Sequence, residues 1–277
     1  MLSIKNTLMS SVIKKVVMAV TGCVLASFLL IHMLGNLQAL EGGPHAINAY
    51  ANFLQTLPWE ILWGFRLTLV VCLILHFSMA ALLVLENSKA RPQKYSLKTP
   101  IIKSPAAYTM IYTGIIILAF AAIHILHYTV QSINPEFKTL EWHAESGAYE
   151  GKVLHDVYAM MILGFSNNWV SAFYIVAMAA IGLHITHGVS SMFQSVGLRT
   201  EAVRYKLNLV AALYAIVVFG GFSLNPIAVL VSKYTPLEIL PVKSVVEQFE
   251  VAKANKQNPI FIKYEKTENA VKQVSQH

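Results

Sequence analysis

VVMAVTGCVLASFLLIHMLGN, residues 16–36, is an apolar run with Thr21-Gly22 near its start and one ionisable side chain, His32, towards its end. It is long enough to cross a bilayer, because a spanning helix needs about 20 mostly apolar residues. A histidine within such a run is costly to bury and marks function by default. Three further runs repeat the pattern: ILWGFRLTLVVCLILHFSMAALLVL (61–85) carries His76, YTMIYTGIIILAFAAIHILHYTV (108–130) carries His124, and VSAFYIVAMAAIGLHITHGVSSMF (170–193) carries His184. A fifth, LNLVAALYAIVVFGGFSLNPIAVLV (207–231), has no histidine. The expected fold is an all-α integral membrane protein with five transmembrane helices at about 16–36, 59–85, 105–130, 169–194 and 208–232. They form one domain, 1–232, followed by a tail, 233–277.

Successive spans alternate in direction, so position converts to depth at about 1.5 Å per residue. His32 and His124 then lie near one face of the membrane, and His76 and His184 near the other. Neutral imidazole is a good iron ligand, and bundle cofactors are held by side chains on facing helices. Two bis-histidine haems account for all four residues, which makes the first four spans a haem-binding bundle. Thr21-Gly22 precedes His32 at the offset at which Thr113-Gly114 precedes His124. That offset, about 15 Å of helix, puts each glycine near the depth of the other histidine pair. A glycine there lets a flat macrocycle approach the backbone, or simply lets two membrane helices pack.

Composition agrees. Of 277 residues, 56% are hydrophobic and 13% charged, with a mean hydropathy of +0.55, far from a soluble domain. The net charge of +7 does not indicate nucleic acid, since the basic residues flank the spans as the positive-inside rule requires. Loop 86–104, with Lys89, Arg91, Lys94, Lys98 and Lys103 against Glu86, is expected in the cytoplasm, as is 195–207 with its Arg199, Arg204 and Lys206. The acidic loop 131–168 is expected outside. The N-terminus is then cytoplasmic and the tail extracytoplasmic. Cys23 and Cys72 fall within spans and read as small apolar residues. Val20-Thr21-Gly22-Cys23 is like a lipoprotein cleavage box, but too few apolar residues precede it and the run continues past the cysteine.

Between the spans, HAINAYANFLQTLP (45–58) reads as a short interfacial helix, and KVLHDVYAMMILGF (152–165) as a second surface helix. His127 and His187 each follow a proposed ligand by three residues, near the same helix face. They suit a haem propionate, a quinone or a structural role. Arg66, inside the second span, suits either the propionate of the outer haem or a snorkelling position. His45, His143 and His155 read as solvated loop residues.

TGCVLASFLLIHMLGN (21–36), LILHFSMAALLV (73–84), TGIIILAFAAIH (113–124) and above all GFSNNWVSAFYIVAMAAIGLHITHGVSSMFQSVGL (164–198) resemble the cytochrome b membrane-anchor subunit of succinate dehydrogenase and fumarate reductase, in the form where one five-helix polypeptide carries two haems b. The resemblance covers roughly residues 10–230, and the most specific part is the LHxxHGxxSxFQSxG run at 183–197. It implies axial ligands matching His32, His76, His124 and His184. It also implies flavoprotein and iron–sulfur partner subunits on the cytoplasmic face of the inner membrane and a quinone substrate, usually menaquinone. Glu41 and Glu60 are candidates by location for the acid of the quinone site. Two alternatives stay open: a cytochrome b anchor for another dehydrogenase, such as a hydrogenase or formate dehydrogenase, and a transition-metal transporter using HILH and HITH.

Overall fold

The structure is a computed structural model and describes residues 10–89, 105–145 and 147–264. Arg91, Lys94, Lys98 and Lys103 of the basic loop, and the tail beyond 264, lie outside the described residues. Five helices are long and apolar enough to cross a membrane: α1 Ser11–Glu41, α3 Trp59–Lys89, α4 Pro105–His124, α6 Asn168–Ser195 and α7 Glu201–Tyr234. The protein is a helical membrane protein. Most of these helices overrun the apolar stretches that announce them, because a helix continues into polar sequence until a breaker stops it. After Glu41 the chain meets Gly42 and then Gly43 at φ +56°, a conformation glycine adopts without strain. α4 passes directly into a π-helical turn, Ile125–Thr129, and that turn contains His127.

Chain contacts divide the molecule into two compact units. The first holds, among the described residues, 10–37, 54–89, 105–123 and 173–224, and so most of the spanning helices. Its helices leave large apolar side chains exposed along their length, among them Phe65, Leu67, Val70, Val71 and Ile74 on α3. Backbone polar groups are satisfied within each helix, which permits apolar surroundings. Lys14, almost fully buried, pairs with Glu86 and ties the start of α1 to the end of α3. The histidine-free α7 belongs to this unit as far as residue 224. The Tyr214 hydroxyl donates to the Ala26 carbonyl of α1, Asn208 accepts from Ser190 of α6 at 2.6 Å, and a Cβ at Gly221 would overlap the Met33 sulfur.

The second unit holds, among the described residues, 38–53, 124–145, 147–172 and 225–264. The expected interfacial helix is present as α2, Gly43–Gln55. The expectation of a surface helix over 152–165 is corrected. Val153–His155 is a strand, β2, and the helix that follows, α5 Val157–Ser166, is buried, with Ala159 and Ile162 at 0% exposure. The reason is local: Val153 and its neighbours pair with β1, Leu140–His143, while Asp156 caps a new helix that is apolar on all sides and therefore belongs inside. A third strand, β3 Ile260–Phe261, adds to β1 in parallel, giving the order β2-β1-β3. This small sheet is an addition to the all-helical expectation. The segment after 233 is structured as far as Tyr264: helix α8, Val242–Ala254, buries Val242, Val245 and Phe249, and α5 packs against it.

Asp156 is the polar centre of this unit. One carboxylate oxygen accepts from the Ala159 amide at 2.9 Å and from Asn48 at 3.0 Å, and the other accepts from the Tyr264 hydroxyl at 2.6 Å. The Asn48 side-chain oxygen in turn accepts from the Tyr158 amide at 3.0 Å. Burial pushes the Asp156 carboxyl up to about 6, against the pull of those donors.

Candidate cofactor site

His76 on α3 and His184 on α6 stand in closely similar surroundings. The Nδ1 of His76 lies 3.0 Å from the Met18 carbonyl and 3.4 Å from the Thr21 hydroxyl oxygen. His184 Nδ1 lies 3.2 Å from the Thr113 hydroxyl oxygen, and the His184 ring also bonds the Met110 backbone. A carbonyl only accepts, so Nδ1 carries the proton in His76. Both threonine hydroxyls have carbonyls of their own helix to donate to, Val17 at 2.7 Å and Thr109 at 3.0 Å, so their oxygens are available to accept from Nδ1–H. This tautomer leaves Nε2 with the lone pair, which is the form in which histidine binds metal. Metal-binding histidines commonly donate their other ring N–H to a carbonyl in this way. The two ring centres are 6.4 Å apart, with planes inclined by 61°.

Both glycines of the Thr-Gly repeat touch this pair. A Cβ at Gly22 would stand 3.0 Å from His76 Cε1 and 3.3 Å from its Nδ1, whereas one at Gly114 would stand 3.6 Å from His184 Cε1. The depth expected from the sequence is where these glycines lie, but the group that approaches them is an imidazole edge. A methyl at Gly22 would press on the His76 ring, which would have to give by a few tenths of an ångström, while at Gly114 a methyl would make only ordinary contact. The sequence reading assigned a role to the glycines and none to Thr21 and Thr113, although the threonines repeat at the same offset.

His32 has a different setting. It is half-buried, stacks on Phe28 with centres 5.2 Å apart and planes at 17°, and lies 5.7 Å from Phe222 of α7. Asn36, one turn on, donates to the His32 carbonyl at 2.7 Å. Phe65 joins this group through Phe28, at 5.9 Å. Its neighbour Arg66 is exposed and lies over the Trp63 ring, 5.4 Å from its centre. Glu41 and Glu60 are exposed.

His124, the last residue of α4, belongs to the second unit, where its ring lies 6.0 Å from Tyr128. His127 is buried at 3% exposure, stacked on Tyr128 at 4.0 Å and on Phe137 at 5.9 Å, with a hydrogen bond to the Asn134 side chain. Those contacts fit a structural role. His155 is not a free loop residue: its Nδ1 donates to the Leu140 carbonyl at 3.0 Å, its Nε2 faces the Gln131 amide at 3.0 Å, and burial pushes it below the usual imidazole range. His45 lies edge-on to Trp142 at 5.0 Å and lines a cavity of about 410 Å³ with Gly42, Ala46, Ala49, Gly147 and Tyr149.

Among the described residues no three His, Cys, Asp or Glu side chains converge into a metal-ligand cluster. A cage built wholly of protein ligands therefore has no candidate there, while a two-histidine axial site needs no third side chain. No known protein family, curated protein or solved structure matches the chain.

Proposed function

We propose that the chain is the membrane-anchor cytochrome b subunit of a succinate:quinone oxidoreductase, linking a cytoplasmic flavin and iron–sulfur dehydrogenase to membrane quinone through two haems b. The observation that carries this reading is the His76–His184 pair. Two imidazoles that were to share one metal ion, at metal–nitrogen distances of about 2 Å, would stand with ring centres about 6 Å apart, and here they are 6.4 Å apart. The His76 ring is held in the tautomer that ligation needs. In the proposal His76 and His184 hold the inner haem, and His32 and His124 the outer one.

Haem b, when bound, supplies a one-electron carrier at each of two depths in the membrane. The chain's own residues prepare for it. The Met18 carbonyl fixes Nδ1–H of His76 and so raises the basicity of its Nε2. Thr21 and Thr113 restrict ring rotation, and Gly22 lets the His76 ring lie against α1. The apolar lining of the spans excludes water. The quinone headgroup is assigned to the cavity at His45, where Trp142 and Tyr149 offer flat apolar walls and the imidazole an exchangeable proton. Partner subunits are assigned to the cytoplasmic loops, with the N-terminus in the cytoplasm of a cell whose inner membrane holds the complex.

The test is single replacement of each histidine by alanine in purified protein, with haem counted by pyridine haemochrome and resolved by reduced-minus-oxidised spectra. The natural chain should hold two haems. His76→Ala and His184→Ala should lose the same spectral component, and His32→Ala and His124→Ala the other. Absence of haem from the natural protein, or pairing of His32 with His76, sinks the reading.

A further inference from the structure

The chain beyond the last spanning helix has no part in the proposed electron path, yet it returns to the cavity at His45. After α8 it runs back as a strap, residues 257–264. Ile260 and Phe261 of the strap add to β1, the strand that carries Trp142. Gln248 of α8 holds Lys263 twice, donating to its carbonyl at 2.9 Å and accepting from its amide at 2.8 Å. The strap ends on Tyr264, whose ring packs on the cluster of Trp142, Ala144 and Leu154, as the ring of Tyr149 does. Trp142 and Tyr149 line the cavity, and α2 supplies His45, Ala46 and Ala49 to it.

Asp156 is bonded to both of these contributors. Its carboxylate accepts from the Tyr264 hydroxyl at 2.6 Å on one oxygen and from the Asn48 side chain at 3.0 Å on the other. Asn48 lies three residues after His45 on α2, about 4.5 Å of rise. Moving α2 or the strap therefore breaks a hydrogen bond to one carboxylate that is wholly buried, and charge-assisted bonds are the stronger kind. We propose that Asp156, with Asn48 and Tyr264, is a clamp that sets the width of the His45 cavity and so positions the flat quinone headgroup bound there. This rests on the proposed function, and it makes the strap, which lies beyond the stretch of family resemblance, a working part of the site.

The clamp carries a pH signature. Tyr158 of α5 and Tyr264 face the carboxylate with ring centres 5.4 Å apart, and burial pushes both hydroxyls up. His155 on β2 commits its Nδ1 to Leu140, and Glu141 on β1 acts on His155. α8, packed against α5, buries the apolar Val242, Val245 and Phe249. Among the described residues no lysine or arginine pairs with Asp156. Burial therefore outweighs the donors and raises the carboxyl to about 6, whereas opening the clamp to water returns it to the ordinary range. The closed form is then favoured most below about pH 4, and that advantage is lost as pH rises through 6.

The experiment measures binding of 1,4-naphthoquinone to the full-length protein by equilibrium dialysis between pH 5 and pH 7, with haem counted in parallel. Affinity of the natural protein should fall about tenfold over that range, the worth of one hydrogen bond to a charged group. Asp156→Asn should flatten the slope, because an amide does not titrate. Any titration of His45 is common to both proteins, so the difference in slope belongs to the clamp. Tyr264→Phe keeps the ring against Trp142 and loses only the hydroxyl; at pH 5 it should bind as weakly as the natural protein does at pH 7. An unchanged slope in Asp156→Asn overturns the inference, as does natural binding by Tyr264→Phe. Equal losses at every pH, in step with a lower melting temperature, mark a merely structural role and overturn it too. Undiminished binding by His45→Ala removes the cavity assignment and the clamp with it, while two haems in that sample leave the electron path standing. Absence of both haem and probe binding from the natural protein sinks the functional reading itself.

Discussion

The two units use buried polar groups in opposite ways. In the second, Asp156 collects the Ala159 amide, Asn48 and Tyr264, so that both carboxylate oxygens are occupied and three segments distant in sequence are joined. In the first, polar partners serve one nitrogen of each imidazole: Met18 and Thr21 at His76, Thr113 at His184. The second pattern closes a network, while the first orients a ring and, on the proposed function, leaves its other nitrogen for a ligand. A saturated buried group needs no further occupant, whereas half-used rings set side by side call for something to occupy them.

The comparison can be broken most forcefully at Asp156. Its folded value is about 6 against an ordinary 3.8, so the folded state holds the proton more tightly than the unfolded one. Its contribution is greatest below about pH 4 and is lost as pH rises through 6, by up to about 3 kcal/mol. His155 next to it acts in the reverse sense, since its value is lowered by burial and its contribution falls as pH drops below its ordinary range. Comparing Asp156→Asn with the natural protein cancels the His155 part. Hydrogen exchange of the α5 amides should show protection declining from pH 4 to pH 7 more steeply in the natural protein than in Asp156→Asn. Equal slopes would remove Asp156 as the centre of the unit.

A smaller effect separates the two glycines. Gly22→Ala places a methyl 3.0 Å from His76, inside ordinary contact, whereas Gly114→Ala places one at 3.6 Å from His184. Overpacking of this kind costs about 1–3 kcal/mol. Gly22→Ala should lower the melting temperature in detergent and, on the proposed function, the occupancy of the haem assigned to His76, with Gly114→Ala near the natural protein in both. Equal losses would show that the glycines face something other than these rings.

The smallest effect is at the threonines. Thr21→Val and Thr113→Val remove a hydroxyl but keep the main-chain carbonyl, so each should cost roughly 1 kcal/mol. The change should be larger at Thr113, whose oxygen is 3.2 Å from the ring nitrogen, than at Thr21, at 3.4 Å. Few-fold weaker haem retention on dilution is the expected readout. No change in either variant would leave the carbonyls as the sole orienting groups.

The sequence by itself determined the five membrane helices, because a run of about 20 apolar residues in lipid has no stable alternative to a helix. It also determined that His32, His76, His124 and His184 lie one to a helix, and that the Thr-Gly repeat marks the depth of other histidines. Only the tertiary structure decided what the repeat does: the partner of Thr21 is 55 residues away and that of Thr113 is 71 residues away, and periodicity within one helix carries no information about which neighbour its face meets. The same holds for α5, where an apolar helix reads alike on a surface or in a core until β1, α2 and the chain as far as Tyr264 close over it. Arg199 was legible only as one more basic residue at a helix end. Its buried Nε–H has no acceptor among the described residues because the chain turns back on α6 after Gly197, and no count of charges along a sequence registers such a donor.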